Sequence, residues 1–127
     1  MRSSAHLLSV LAVSATLSVG LLIVPGNTDA AGHAKSISTI QKGKKIAFNR
    51  KKGNCLACHQ IKGGTLAGNV GPALISMKAR FPDKAVLRAQ IFDATKKNPN
   101  SMMPPFGRHK ILSGDEIDKV VEYIHSL

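Results

Sequence analysis

Tryptophan is absent from this sequence, tyrosine occurs once and phenylalanine four times. A chain of about a hundred residues buries only roughly 60 to 68% of its unfolded surface. With so few large aromatics, a domain of that size needs a staple such as a metal, a crosslink or a bound cofactor. Cysteine is equally scarce: there are two, Cys55 and Cys58, and no second Cys pair or closely spaced His pair to complete the four closed ligands of structural zinc. No alternation of strand and helix surrounds them, which argues against a disulfide-exchange Cys-x-x-Cys.

Acidic residues are missing over a long stretch. Between Ala31 and Pro82 there is no Asp or Glu, against ten bases (Lys35, Lys42, Lys44, Lys45, Arg50, Lys51, Lys52, Lys62, Lys78 and Arg80). From Asp83 onward seven bases nearly balance six acids, so the formal net charge of +11 is carried unevenly. Such a field steers association with an acidic partner and is salt-sensitive, although a merely solvated face has the same composition. Nucleic acid is the usual suspect for so basic a chain, but the aromatics are few and no binding motif is present.

Charge of either sign is absent from Leu7 to Val24, a run rich in Leu, Val and Ala that follows Arg2 and ends at Pro25-Gly26. This is a secretory signal pattern. Thr28-Asp29-Ala30 places small residues at the −3 and −1 positions, so cleavage is expected after Ala30, with Ala31 and Ala34 as alternatives. Residues 1–30 then form a cleaved signal peptide and 31–127 a single domain without a membrane span, located in the periplasm. The competing reading is an uncleaved anchor, because the apolar run approaches spanning length. Ser9, Ser14, Thr16, Ser18 and Gly20 dilute it.

What is present is Asn54-Cys55-Leu56-Ala57-Cys58-His59. Cysteines at i and i+3 on one helical turn share a face, where two thiols can form thioethers to the two vinyl groups of a haem. The following imidazole then falls beneath the iron, and Cys-x-x-Cys-His reads as c-type haem attachment. Both thiols are consumed, so no structural disulfide is expected. The haem becomes the core that the aromatics do not supply, and the apo chain is expected to be largely unfolded.

Along the mature chain, Ile37, Ile40, Ala47 and Phe48 recur at helical spacings and predict a helix from Ser36 to about Lys51. Gly43 inside it costs about 1 kcal/mol relative to Ala, which suggests that another element passes close by. After His59, four glycines between Gln60 and Gly71 read as a loop against the haem edge, since no Gly-Lys-Ser/Thr follows to make it a phosphate loop. Metal-bound histidines generally donate their other ring N–H to a partner. The carbonyl of Pro72 is the candidate acceptor for His59, a plain turn being the alternative. Leu74 to Lys78 suits a short helical piece. Asp83 is a candidate N-cap for a helix from Lys84 to Lys97, and Ser113-Gly114-Asp115-Glu116 is a capping box before Ile117, Val120, Val121, Ile124 and Leu127. Tyr123 is a candidate for the place where this last helix crosses Gly43. A haem iron with a proximal His takes a sixth ligand or keeps an open site, and a Met thioether raises its potential. The candidates are Met77, Met102, Met103, His33, His109 and His125. Local reasoning favours Met102 or Met103, next to Pro104-Pro105, with His109 behind; Met77 reads as core.

In this order, the first helix with Gly43, Cys55-x-x-Cys58-His59, Gly71-Pro72-x-Leu74, the Met-Pro loop and a closing helix resemble class I cytochrome c. More narrowly, four blocks (53–59, 68–72, 77–83 and 103–109) resemble the SoxX family, the small monohaem subunits of SoxAX cytochromes. The resemblance spans nearly all of 36–127. It implies an all-α class I cytochrome c fold, its helices packed around one covalently bound haem c. Cys55 and Cys58 would hold that haem, with His59 as proximal and Met103, rather than Met102, as distal iron ligand. It further implies a heterodimer with a SoxA-like subunit. SoxAX couples thiosulfate oxidatively to a cysteine of the carrier SoxYZ, as an L-cysteine S-thiosulfotransferase. This chain would relay the electrons to a small cytochrome c. No residue here stands out as catalytic. A free-standing periplasmic electron carrier is the alternative, and a haem enzyme or gas sensor with an open sixth site is a third.

Overall fold

A computed structural model describes residues 28–127. The leader assigned to residues 1–30 lies, but for its last three residues, outside the described part. Four α-helices follow in order: α1 (Thr28–Phe48), α2 (Met77–Arg80), α3 (Lys84–Phe92) and α4 (Gly114–His125), with short 3₁₀ turns at Cys55–Ala57 and Ala94–Lys96. No strand occurs among the described residues, so the fold is all-α, as expected.

The two terminal helices frame the molecule. The capping box at the start of α4 is formed in full: Glu116 N–H donates to Ser113 Oγ (3.2 Å) and Ser113 N–H to the Glu116 carboxylate (3.1 Å), satisfying two otherwise orphaned donors. From there Ile117, Val120, Val121 and Ile124 are buried on one stripe. The neighbouring face of α4, through Lys119 and Tyr123, meets α1 at Gly43. A Cβ on Gly43 would overlap the backbone carbonyl of Lys119 and stand 2.9 Å from Tyr123 Cβ. The helix tolerates a poor helix former there because only a bare backbone admits so close a crossing. Tyr123 is at the crossing, with Phe48 edge-on to it at 6.0 Å.

The boundaries differ from expectation where side chains compete with the helix. α1 stops at Phe48, short of Lys51. Asn49 takes over the turn: its side chain accepts from Lys51 N–H (2.8 Å) and its carbonyl from Lys52 and Asn54 (both 3.0 Å). Asp83 caps α3 by accepting from Ala85 N–H (2.7 Å). The helix ends at Phe92, not Lys97, because Asp93 is extended and its carboxylate accepts from Thr95 N–H (3.1 Å) and the Thr95 hydroxyl (2.5 Å), starting a new 3₁₀ turn. The short helical piece begins at Met77 rather than Leu74. Upstream, Gly71 and Leu74 N–H are committed to the carbonyls of Cys58 (2.8 Å) and Gln60 (2.9 Å), which keeps that backbone out of a helix.

α3 is stapled to α4 by Lys84–Glu122 (2.7 Å) and Arg88–Asp118 (2.6 Å), and Lys52 pairs with Glu116. Exposed pairs like these contribute little each. The core is instead the cluster of Ala47, Ile61, Met77, Leu87, Ile91, Phe106, Leu112, Ile117, Val120, Val121, Tyr123 and Ile124.

Candidate functional site

Beside that cluster lies a cavity of about 800 Å³, within the range of cofactor-sized sites, roughly 300 to 1,000 Å³. Its first wall is the Cys-x-x-Cys-His segment. Gly53 turns the chain off α1, since a Cβ there would sit 2.9 Å from the Ile46 carbonyl oxygen and 3.0 Å from Ala47 Cα. Asn54 follows in the left-handed region (φ 47°), which Asn adopts more readily than most residues. The 3₁₀ turn then closes on itself, with Cys58 N–H (3.3 Å) and His59 N–H (2.9 Å) both donating to the carbonyl of Cys55.

Cys55 and Cys58 are both free and half-buried. Burial pushes the Cys55 thiol up to about 11, Cys58 nearby adding to the effect against a backbone hydrogen bond that lowers it. Thiol-exchange cysteines have lowered pKa values, so Cys55 does not suit an attacking thiol. Among the described residues no three His, Cys, Asp or Glu side chains come together as a metal-binding group.

His59 is fixed by its second nitrogen: Nδ1–H donates to the Pro72 carbonyl at 2.7 Å. A carbonyl only accepts, so the proton is assigned to Nδ1 and the lone pair of Nε2 is left available as a ligand. The residue before that proline has to be small. A Cβ on Gly71 would stand 2.6 Å from Nδ1 and 3.0 Å from Nε2 of His59, displacing the ring.

Much of the remaining wall is apolar: Leu74, Phe81, Leu87, Ile91, Phe106, Leu112, Val120 and Ile124 all line the cavity, and no Asp or Glu does. Arg50, Lys51, Lys52, Asn98, Asn100 and Ser101 also line it. A flat apolar group with anionic substituents fits such a site. Two thiols, an oriented imidazole and apolar walls together suit a covalently held haem.

The candidate sixth ligands separate by position. Met103 is half-buried on the cavity wall, its N–H held by Ser101 Oγ (3.2 Å) and its loop stiffened by Pro104 and Pro105. Met102 also borders the cavity but is 80% exposed. Met77 is fully buried, as a core residue would be; it too lines the cavity, with its sulfur accepting from Arg80 Nη1 (3.4 Å). His109 is exposed and does not line the cavity; neither does His125, whose Nε2–H donates to the Phe81 carbonyl (3.1 Å). The side chain of His33 lies outside what is described. The structure thus brings Cys55, Cys58, His59 and Met103 to one cavity.

One contributor, Arg80, was not singled out from sequence, and Tyr123 was expected only at the crossing with Gly43. Arg80 donates to the Ala73 carbonyl (2.8 Å) as well as to Met77, fastening the segment next to Pro72. Tyr123 keeps a buried hydroxyl without a partner, and burial raises its pKa. No local sequence signal announces the Arg80 hydrogen bonds or the unpartnered Tyr123 hydroxyl, because both depend on which segments meet in space.

Residues 38–124 match the family described as cytochrome c oxidase, cbb3-type, subunit III. An uncharacterized lipoprotein of Aquifex aeolicus (strain VF5) is 32% identical over 96 residues, covering 72% of this chain and 47% of that protein. The chain therefore spans about half the length of that relative. With the cavity, the attachment motif and an all-helical fold in agreement with that match, the chain belongs to the cytochrome c-like family of cbb3-type oxidase subunit III.

Proposed function

We propose that this chain is a periplasmic monohaem cytochrome c that relays electrons as the small subunit of a SoxAX-type complex. The observation that carries the haem reading is the oriented His59, with its Nδ1 proton spent on Pro72, beside two unpaired thiols on one turn. Cys55 and Cys58 would hold one haem c covalently, and His59 and Met103 would ligate its iron. When bound, the haem supplies one-electron oxidation and reduction. The protein's part is to hold it, orient its ligands and exclude water with the apolar walls.

The SoxAX assignment is supported by the four sequence blocks. In that reading the SoxA-like partner joins thiosulfate to a cysteine of SoxYZ. A sulfur–sulfur bond forms, and one proton and two electrons leave, the electrons passing through this chain to a small cytochrome c. The complex is then an enzyme, an L-cysteine S-thiosulfotransferase, while this chain alone is not. Export is supported by the leader pattern and by a relative named as a lipoprotein. Among the described residues no helix is long and apolar enough to cross a membrane.

Mixing the haem-loaded chain with SoxA-type and SoxYZ-type proteins and thiosulfate tests this. Reduction of the chain's haem should require all three additions. A loaded chain that neither associates with the SoxA-type subunit nor is reduced sinks the assignment. The second reading, a free-standing periplasmic carrier, rests on the same family match, which supports electron transfer by a cytochrome c-like domain.

A further inference from the structure

We propose that Leu66 is a docking anchor, and that its loop receives the carboxylate-rimmed face of the cytochrome subunit with which this chain exchanges electrons; the partner's identity rests on the relay reading above. Leu66 is fully exposed (100%) and has φ 54°, in the left-handed region. A leucine is disfavoured there, whereas Gly or Asn is at ease, and an exposed position needs no leucine for packing. The fold therefore holds a strained apolar side chain in water with no return to its own stability.

The loop is not slack. Gly64 N–H donates to the Ile61 carbonyl (3.0 Å), Gly68 N–H to Leu56 (2.8 Å) and Gly71 N–H to Cys58 (2.8 Å). A Cβ on Gly64 would overlap the Leu56 side chain, and one on Gly68 the backbone of Ala57. Leu66 is thus presented by a stiff loop pressed against the haem-attachment turn. Val70, on the same loop, is 61% exposed and borders the cavity, as does the exposed Met102. Apolar exposure on this loop therefore reaches the cavity from which electrons would leave.

Charge selects the partner. Lys62 belongs to the loop, Lys44 Nζ reaches Gly63, and Arg50 and Lys51 border the cavity. None of these four has an acidic partner among the described residues, whereas the acids from Asp93 onward are each ion-paired and Asp83 caps α3. The positive face is left unneutralised, and its complement is an apolar recess ringed by Asp and Glu.

Titration calorimetry of the full haem-loaded chain against the SoxA-type subunit, at two salt concentrations, tests the proposal. Leu66→Asn relieves the backbone strain, so its melting temperature should equal or exceed wild type while Kd rises about tenfold or more, as for loss of a hot spot. Leu66→Met should bind like wild type. Lys62→Glu should weaken binding and reduce its salt dependence. Unchanged binding by Leu66→Asn overturns the anchor and leaves the relay reading standing. Failure of the wild-type chain to bind overturns both.

Discussion

Replacing Gly43 with Ala sets two effects of opposite sign against each other. In an open helix the substitution stabilises by about 1 kcal/mol through propensity. At Gly43 the new methyl would overlap the Lys119 carbonyl and crowd Tyr123 Cβ at 2.9 Å. Those obstacles are backbone and the root of a side chain, so neither can swing aside. α1 and α4 must then separate, and the cost lies at or above the top of the overpacking range, about 3 kcal/mol. The net is a loss of about 2 kcal/mol, a drop in melting temperature of roughly 8 to 16 °C for a domain of this size. Gly32, in the same helix, has nothing within 4 Å of its Cβ position, so Gly32→Ala should leave stability unchanged or slightly raised. Thermal denaturation of the two haem-loaded variants, followed by circular dichroism, gives the answer. A Gly43→Ala protein as stable as wild type refutes the crossing.

Other outcomes follow from the same geometry. Met103→Ala should abolish the sulfur-to-iron charge-transfer band and lower the midpoint potential, while Met102→Ala, at an exposed position, should change neither; potentiometry and near-infrared spectra decide. Gly71→Ala should push the His59 ring off Pro72 and loosen iron ligation by about 10- to 100-fold, read by imidazole or cyanide displacement. Ser113→Ala removes the α4 cap and should cost about 1 kcal/mol in denaturant titration. The Thr95 hydroxyl holds the Asp93 carboxyl below its usual range, and Lys52 does the same for Glu116. Stability from such depressed groups is fully present above the unfolded carboxylate pKa, about 4, and is lost as pH falls through the folded values. The haem-loaded chain should therefore weaken below about pH 4, and Asp93→Asn should flatten that dependence.

Much of the fold could be read locally. The capping box at Ser113, the cap at Asp83 and the apolar stripe from Ile117 to Ile124 are short-range patterns, and each specifies its element without help from elsewhere. Gly43 was legible for a different reason: a poor helix former inside a strong helix implies a neighbour, although only the structure says that the neighbour is the backbone of Lys119. The interruption at Asp93 was not legible, because Leu87, Ile91 and Ala94 keep helical spacing across it while a side-chain cap resets the backbone. Of the site, the attachment turn is contiguous in sequence, so its chemistry shows in six residues. The fastening of residues 72–77 by Arg80, and the strained exposure of Leu66, depend on how distant segments meet and left no trace in the residue pattern.

The central claim is that the turn from Cys55 to His59 exists to hold a haem covalently. Intact mass of the exported, purified chain under denaturing conditions tests it most directly. The mass should be increased by one haem, an increase that survives unfolding and is lost in a Cys55→Ala, Cys58→Ala variant. A colourless chain of unmodified mass that still melts cooperatively contradicts it.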